Sequence, residues 1–439
     1  MNRFQMFSKI PIALLLIFTI ACEPSNQNSS GTTIAVPVAG VSDTSAFQYA
    51  VAAFEPMPMP KFATTGLAYL GKAQHSNGGW GGGSHASQGI YDPHAVTTDP
   101  ATTAFVAMAL LRSGSTIHSG EYSGNLRKAT AYLLKVVEDS DENGPQITTQ
   151  TGTQPQSKLG ANIDPMFVAQ YLSRVAEDAG SDSEFGNRIK PAIEKCIRKI
   201  QNSQSADGSW GRDGWAPVLQ STMANSALEM ADIAGVEVDS AVMEKSRDYQ
   251  KSNVDDNGDF NAEEGAGVSL YAITGNVRAN AQEYKSAGSY MKSAQDEGRL
   301  SATAPVTTEN LVISGVPRSK AEKMSKAYDQ VENAKQKLND EDVLSGFGNN
   351  GGEEFLSYMM TSETMVISGE EEWKGWHTKM SDRFTKIQNN DGSWSGHHCI
   401  TSPVFCTAAV VMTVTADRDN FILELSKGTV GSKNTPVSK

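Results

Sequence analysis

Apolar residues return every three or four positions through most of this chain, as at Ala104, Met108 and Leu111 or Ile189, Ile193, Ile197 and Ile200, while strand-like alternation is nearly absent. Such spacing buries one face of each segment and predicts an all-α protein. Gly and Pro punctuate the helices: Gly114 follows Leu111, Pro191 sits near a start, Gly235 follows an Ala-rich run and Gly275 follows Tyr271. Between residues 281 and 345 the pattern loosens, and Pro305, Thr307, Thr308, Gly315 and Pro317 predict loops. A surface helix is expected from Ser319, where Ser319 and Glu322 form a capping-box pattern and Met324, Tyr328, Val331 and Leu338 supply one apolar stripe.

A short phrase closes several of these helices. Asp or Asn, then Gly, then any residue, then an aromatic recurs with its aromatic at Trp80, Trp210, Phe260 and Trp394. In three copies a Gln stands six residues earlier: Gln74 in QHSNGGW, Gln204 in QSADGSW with Asp207 and Gly208, and Gln388 in QNNDGSW with Asp391 and Gly392. The fourth, QKSNVDDNGDF, keeps Gly258 and Phe260, but its Gln250 lies farther back. Asp-Gly or Asn-Gly lets the backbone turn left-handed and stop a helix, the aromatic covers the helix ends, and the Gln has the reach to bond the turn. After each turn comes a run rich in small residues, such as Ala101–Ala104, Ser221–Ala227 or Thr407–Ala409, suited to helices packed closely on an inner layer. A recurring unit of this kind implies stacked helical hairpins, each needing its neighbour to bury an apolar face.

Charged residues make up 20% and hydrophobic residues 39%, enough for a large core. A net charge of -13 without a basic stripe argues against a nucleic-acid partner. Arg3 and Lys9 precede an apolar run from Ile10 to Ala21, the pattern of an export signal. The stretch Thr19-Ile20-Ala21-Cys22 resembles a bacterial lipoprotein cleavage box, which implies lipid attachment at Cys22 and a membrane partner through that lipid. The expected organisation is a signal at 1–21, a flexible tether at 22–45, a helical body at 46–425 and a disordered tail at 426–439. Of the other cysteines, Cys196 among Ile193, Ile197 and Ile200 reads as a buried thiol, and the spacing of Cys399 and Cys406 allows a disulfide.

The repeated Q-x-x-x-[DN]-G-x-W followed by an Ala/Thr/Ser-rich helix resembles the repeats of squalene and oxidosqualene cyclases and of protein prenyltransferase β subunits. TDPATTAFVAMALLRSG, QSKLGANIDPMF, GWAPVLQSTMANSALEMA, NNGGEEFLSYMMTSE and SWSGHHCITSPVFCTAAVV look like a bacterial branch of that superfamily, and the resemblance spans roughly residues 60 to 416. It implies an α/α toroid, two concentric rings of helices. It does not by itself imply chemistry, because the repeats build the scaffold.

The family's cyclases carry an acidic Asp-x-Asp-Asp motif. Here the nearest strings are Asp139-Ser140-Asp141-Glu142, which reads as a solvated turn, and Val254-Asp255-Asp256, which belongs to a repeat turn. The prenyltransferases bind zinc through Asp, Cys and His; the ligand-bearing cluster here is His397, His398, Cys399 and Cys406, for which a disulfide or plain loop is expected in place of metal. Asp99 is well placed to cap the helix that starts at Pro100. Asp92 and His94 form a candidate acid/base pair, as in toroidal polysaccharide lyases and hydrolases, and Glu353, Glu354 and Tyr358 at a helix start are candidates to face the toroid's mouth. The expected protein is an exported, lipid-anchored, non-catalytic binding or scaffold module without a cofactor. It would take a small molecule, glycan or protein in its axial cavity or at its rim. A divergent cyclase or prenyltransferase is the first alternative and a glycan-active toroid the second.

Overall fold

The computed structural model describes residues 55–211, 214–255, 257–346 and 351–427. The expected signal, Cys22 and nearly all of the tether and tail lie outside the described residues. Within them the chain is all-α. Its helices are α1 (Lys61–Lys72), α2 (Pro100–Arg112), α3 (Ser123–Asp139), α4 (Gln154–Leu159), α5 (Ile163–Ala179), α6 (Ile189–Asn202), α7 (Pro217–Ile233) and α8 (Ser240–Ser252). They continue with α9 (Ser269–Asp296), α10 (Thr308–Ile313), α11 (Arg318–Lys337), α12 (Glu341–Leu344), α13 (Gly352–Ser368), α14 (Glu370–Thr385), α15 (Pro403–Thr413) and α16 (Asn420–Ser426). Isolated bridges, Ser84 with Thr153 and Val254 with Phe260, are the extended pairings among the described residues. No helix of the described residues is long and apolar enough to cross a membrane.

Two kinds of helix alternate. Helices α2, α7, α13 and α15 are buried on nearly every side, which their small and apolar residues permit. Helices α3, α6, α8 and α14 bury one stripe and show the other to water. Among the buried set, α2 packs on α5, α5 on α7, α7 on α9, α9 on α13, α13 on α15, and α15 on α2. The N-termini of these helices are tied laterally. Ala101 N–H donates to Asp164 Oδ1 at 3.1 Å, Tyr271 Oη–H to the Glu353 carbonyl at 3.1 Å, and Gly352 N–H to the Ile400 carbonyl at 2.9 Å.

The repeated phrase works as expected in its three full copies. The indole N–H of Trp80, Trp210 and Trp394 donates to the carbonyl ten residues earlier, at Leu70, Ile200 and Phe384. Each Trp backbone N–H donates to a hydroxyl on the following buried helix: Thr103, Ser221 and Thr407. Each Gln binds its own turn glycine carbonyl and a neighbouring outer helix, so Gln74 reaches Asn125, Gln204 reaches Val242, and Gln388 reaches Phe62 and Thr65. The last of these joins the end of α14 to α1 across 326 residues of sequence. The motif glycines Gly78, Gly208 and Gly392 have φ of 91°, 90° and 91°. A side chain at Gly208 would also meet the Lys245 carbonyl at 2.2 Å, so Gly is required there twice over.

The fourth copy departs. Gln250 accepts from Thr222 Oγ1 instead, and Asn333 on α11 donates to the Gly258 carbonyl at 2.5 Å. Phe260, lacking an indole N–H, is only half-buried. Two expectations are corrected nearby. Gly275 does not end a helix: it lies inside α9, where an added Cβ would meet Gln250 Oε1 at 2.1 Å, so the glycine admits a neighbouring helix. Helix α11 starts at Arg318 after Pro317 with no side-chain cap, so Ser319 and Glu322 are helical residues and form no capping box.

Deep among the buried helices lies a charge network that no sequence motif announced. Arg112 bonds Glu363 Oε1 at 2.5 Å and Asp419 Oδ2 at 2.8 Å; Arg174 reaches Asp419 at 2.7 Å. Arg278 joins Glu363 at 3.0 Å to Glu229 at 2.7 Å and keeps one nitrogen, Nη2, without a partner. Burial alone would raise the Asp419 carboxyl, but Arg174 and Arg112 overcome it and hold the group far below the usual carboxylate range. Arg112, Glu229 and Arg278 sit singly among apolar or small neighbours, as Glu229 does in SALEMA, whereas Asp419 lies in the polar run ADRDN.

Candidate functional site

At the N-terminal ends of the buried helices the acids are arranged differently. Asp99 caps α2, accepting from Thr102 N–H at 2.7 Å and Gly82 N–H at 2.7 Å, as its position before Pro100 predicts. Asp164, in the first turn of α5, accepts from Ala101 N–H and from Gln156 Nε2 at 2.7 Å. Among the described residues neither has an arginine or lysine partner. Burial pushes Asp99 up to about 6 and Asp164, which also feels Asp99, up to about 7.

The start of α13 holds a less satisfied acid. Glu353 is fully buried, and among the described residues neither carboxylate oxygen has a nitrogen or oxygen donor. Its ligand-capable neighbours are His398 and Cys399 from the loop before α15, and one atom from each of the three residues lies within 4.8 Å of the others. Burial, together with a contact to Glu353, pushes the Cys399 thiol up to about 12, so that it stands beside the carboxylate as a neutral, weak donor. Lys158 on α4 adds a cation near the thiol and lies 4.9 Å from the Trp215 ring centroid. Glu354 serves locally: its Oε2 accepts from Gly351 N–H at 2.8 Å, and Oε1 is 3.9 Å from His398 Nε2. Burial and the neighbouring Glu353 charge raise its carboxyl.

The backbone is cleared for this cluster. A Cβ on Gly351 would sit 2.6 Å from His398 Cε1, and one on Gly352 would sit 2.5 Å from Ile400 Cβ. The loop is fixed from outside by Gln88 Nε2, which donates to the Cys399 carbonyl at 3.1 Å, and by Gln154 Oε1, which accepts from Thr401 N–H at 2.7 Å. Cys399 itself holds a left-handed φ of 59°, a conformation of a few per cent of non-glycine residues that turns its side chain toward α13.

The structure thus unites Glu353, His398 and Cys399 and separates the other nominated residues. The disulfide allowed between Cys399 and Cys406 is not formed: both are free thiols, and Cys406 is buried on α15 with Sγ 3.6 Å from the Ile400 carbonyl. His397 is exposed and stands outside the group. Tyr358 is buried against α14, where its hydroxyl donates to the Leu344 carbonyl at 3.0 Å and Arg383 covers its ring, so it does not face the mouth. Asp92 accepts from the His94 backbone N–H, a local turn cap in place of an acid/base pair, and the His94 ring lies against His75. Neither bonds Glu353 or Glu354. Cys196 is buried, and burial raises its thiol to about 12, the inert state expected of it. Asp139, Asp141 and Glu142 are exposed, and Asp255 caps its own turn.

Elsewhere, a cleft of about 910 Å³ opens beside α5, α6, α7 and α16, but the buried Arg174 in its wall is already committed to Asp419. The donor set at the start of α13, one carboxylate, one imidazole and one thiol, is a combination that holds borderline divalent ions such as zinc. No protein-family model matches the chain, and no curated protein is found similar to it.

Proposed function

We propose that the chain is an exported, lipid-anchored α/α toroid that acts as a binding module at the cell envelope and takes its ligand at the mouth formed by the N-termini of the inner helices. Ring closure is supported by the packing order of α2, α5, α7, α9, α13 and α15, which returns to α2, and by Gln388 fastening α14 to α1. Export and lipid attachment rest on the segment from Arg3 to Cys22. The repeats resemble those of cyclases and prenyltransferases, yet of the acids nearest to a cyclase motif Asp139, Asp141, Glu142 and Asp255 are exposed and Asp256 lies outside the described residues, so binding is the reading without an added assumption.

One observation carries the proposal: the Glu353 carboxylate is buried without a nitrogen or oxygen donor among the described residues. Leaving a buried acceptor unmade costs on the order of 1–3 kcal/mol, and more for a charged group, so a protein that keeps one tends to satisfy it with something it binds. The test is native mass spectrometry of the full chain extracted from its own membrane in mild detergent. A bound mass is expected on the wild type and absent from Glu353→Gln. Bare wild-type protein, or an adduct the variant retains, overturns the proposal.

A further inference from the structure

We propose that the ligand taken at this mouth is first of all a metal ion: Glu353, His398 and Cys399 form a three-residue site for a borderline divalent cation such as zinc, with a further coordination position open to an exogenous group. The inference rests on the mouth being the binding site and names the chemistry that Glu353 awaits. Three observations carry it independently of the family resemblance. The three potential ligand atoms converge within 4.8 Å. Zinc bound at about 2.0–2.3 Å from each ligand needs separations of roughly 3.5 Å, so the cluster is about an ångström more open than a loaded site. The half-buried His398 and Cys399 can close that gap by side-chain rotation while Gln88 and Gln154 hold the loop backbone.

Second, the Glu353 carboxylate is fully buried in the cluster, and among the described residues it has no nitrogen or oxygen donor and only the weak Cys399 thiol beside it, so a cation there supplies the charge it lacks. Third, supports of the kind that orient metal ligands are in place. Glu354 Oε1 stands 3.9 Å from His398 Nε2, Tyr271 holds the Glu353 backbone, Gln88 holds the Cys399 carbonyl, and Gly351 leaves room for the imidazole. Thiolate and imidazole ligands select against magnesium and calcium, which take oxygen ligands. Lys158, close to the Cys399 thiol, adds positive charge next to the cluster and favours an anionic group, a carboxylate or a phosphate, as the additional ligand.

The test uses the full-length, detergent-solubilised protein after chelation, titrated with Co2+ and then challenged with Zn2+. One equivalent of Co2+ is expected to give a thiolate-to-cobalt band in the near ultraviolet that Zn2+ abolishes. Cys399→Ser removes that band, while Glu353→Gln and His398→Ala each weaken metal binding by about tenfold or more. His397→Ala and Cys406→Ala leave it unchanged. Circular dichroism of every variant separates loss of metal from loss of fold. Absence of the band in folded wild-type protein, or its survival in Cys399→Ser, overturns the metal site. An organic adduct that Glu353→Gln loses, without metal, overturns this inference and leaves the binding module standing, whereas a bare mouth overturns both.

Discussion

Glu353 and Glu363 lie ten residues apart on α13, about 15 Å along its axis, yet they live in opposite worlds. Glu363 is held by Arg112 and Arg278, Glu229 by Arg278, and Asp419 by Arg112 and Arg174, so each acid of the deep network has a guanidinium. At the mouth, Asp99 and Asp164 depend on amide donors, and Glu353 lacks even those. Both regions bury carboxylates. The difference teaches that charge burial has two uses here. The deep network matches its charges and joins α2, α5, α7, α9, α13 and α16, whereas at the start of α13 Glu353 is left without a charged partner among the described residues, which on the proposed function is reserved for a ligand.

Breaking the matched region produces the largest expected effect. Asp419→Ala strands Arg174, leaves Arg112 with Glu363 alone, and is predicted to cost about 3–5 kcal/mol in urea unfolding, as removal of one partner from a buried pair does. Replacing Asp419 and Arg174 together by leucine recovers part of that loss, since the charge then leaves with its partner. A double variant no more stable than Asp419→Ala would mean that the network is not the coupled unit described here.

Next in size is an opposite dependence on pH. Asp419 has a depressed carboxyl, so its contribution is present above the unfolded value near 4 and is lost as pH falls below about 4. Asp99 and Asp164 are raised, to about 6 and about 7, so the folded state holds protons that the unfolded state has released. Their contribution is fully present below about pH 4 and declines as pH rises from about 4 to about 7. Asp164→Asn is expected to flatten the fall in stability over that upper range and leave the acid limb untouched. An unchanged slope in the variant would remove Asp164 from the account.

A smaller effect concerns the repeats. Gln388→Ala deletes the bonds to Phe62, Thr65 and Gly392 and should destabilise by about 1–3 kcal/mol. Hydrogen exchange should rise together in α1 and α14. Exchange confined to the turn would show that this Gln caps locally and does not join the first and last hairpins.

The fold was legible because part of its signal is local: in the full copies each Gln bonds the glycine carbonyl four residues on and each indole the carbonyl ten residues back, while the second partner of each Gln lies on another helix. The fourth phrase shows the limit, since its Gln is replaced by Asn333, 75 residues away from the carbonyl it serves. The site was legible only in pieces. Glu353 and the His398-Cys399 pair are each conspicuous in the sequence, but only the packing of α13 on α15 and the turned loop before α15 bring them together. Tyr358 misled because residues four apart share a helix face, and the face it shares is that of Glu354 rather than that of Glu353. The deep arginines stayed silent because a lone charge in a helical stripe reads as solvated until its neighbours prove to be buried.

The most direct test of the contrast is the unfolding free energy of metal-free Glu353→Gln beside that of metal-free wild type. If Glu353 is kept for a ligand, removing its charge relieves the apoprotein, and the variant is as stable as wild type or more so by about 1 kcal/mol. A variant less stable by that amount or more would place Glu353 with the structural charges and contradict the account.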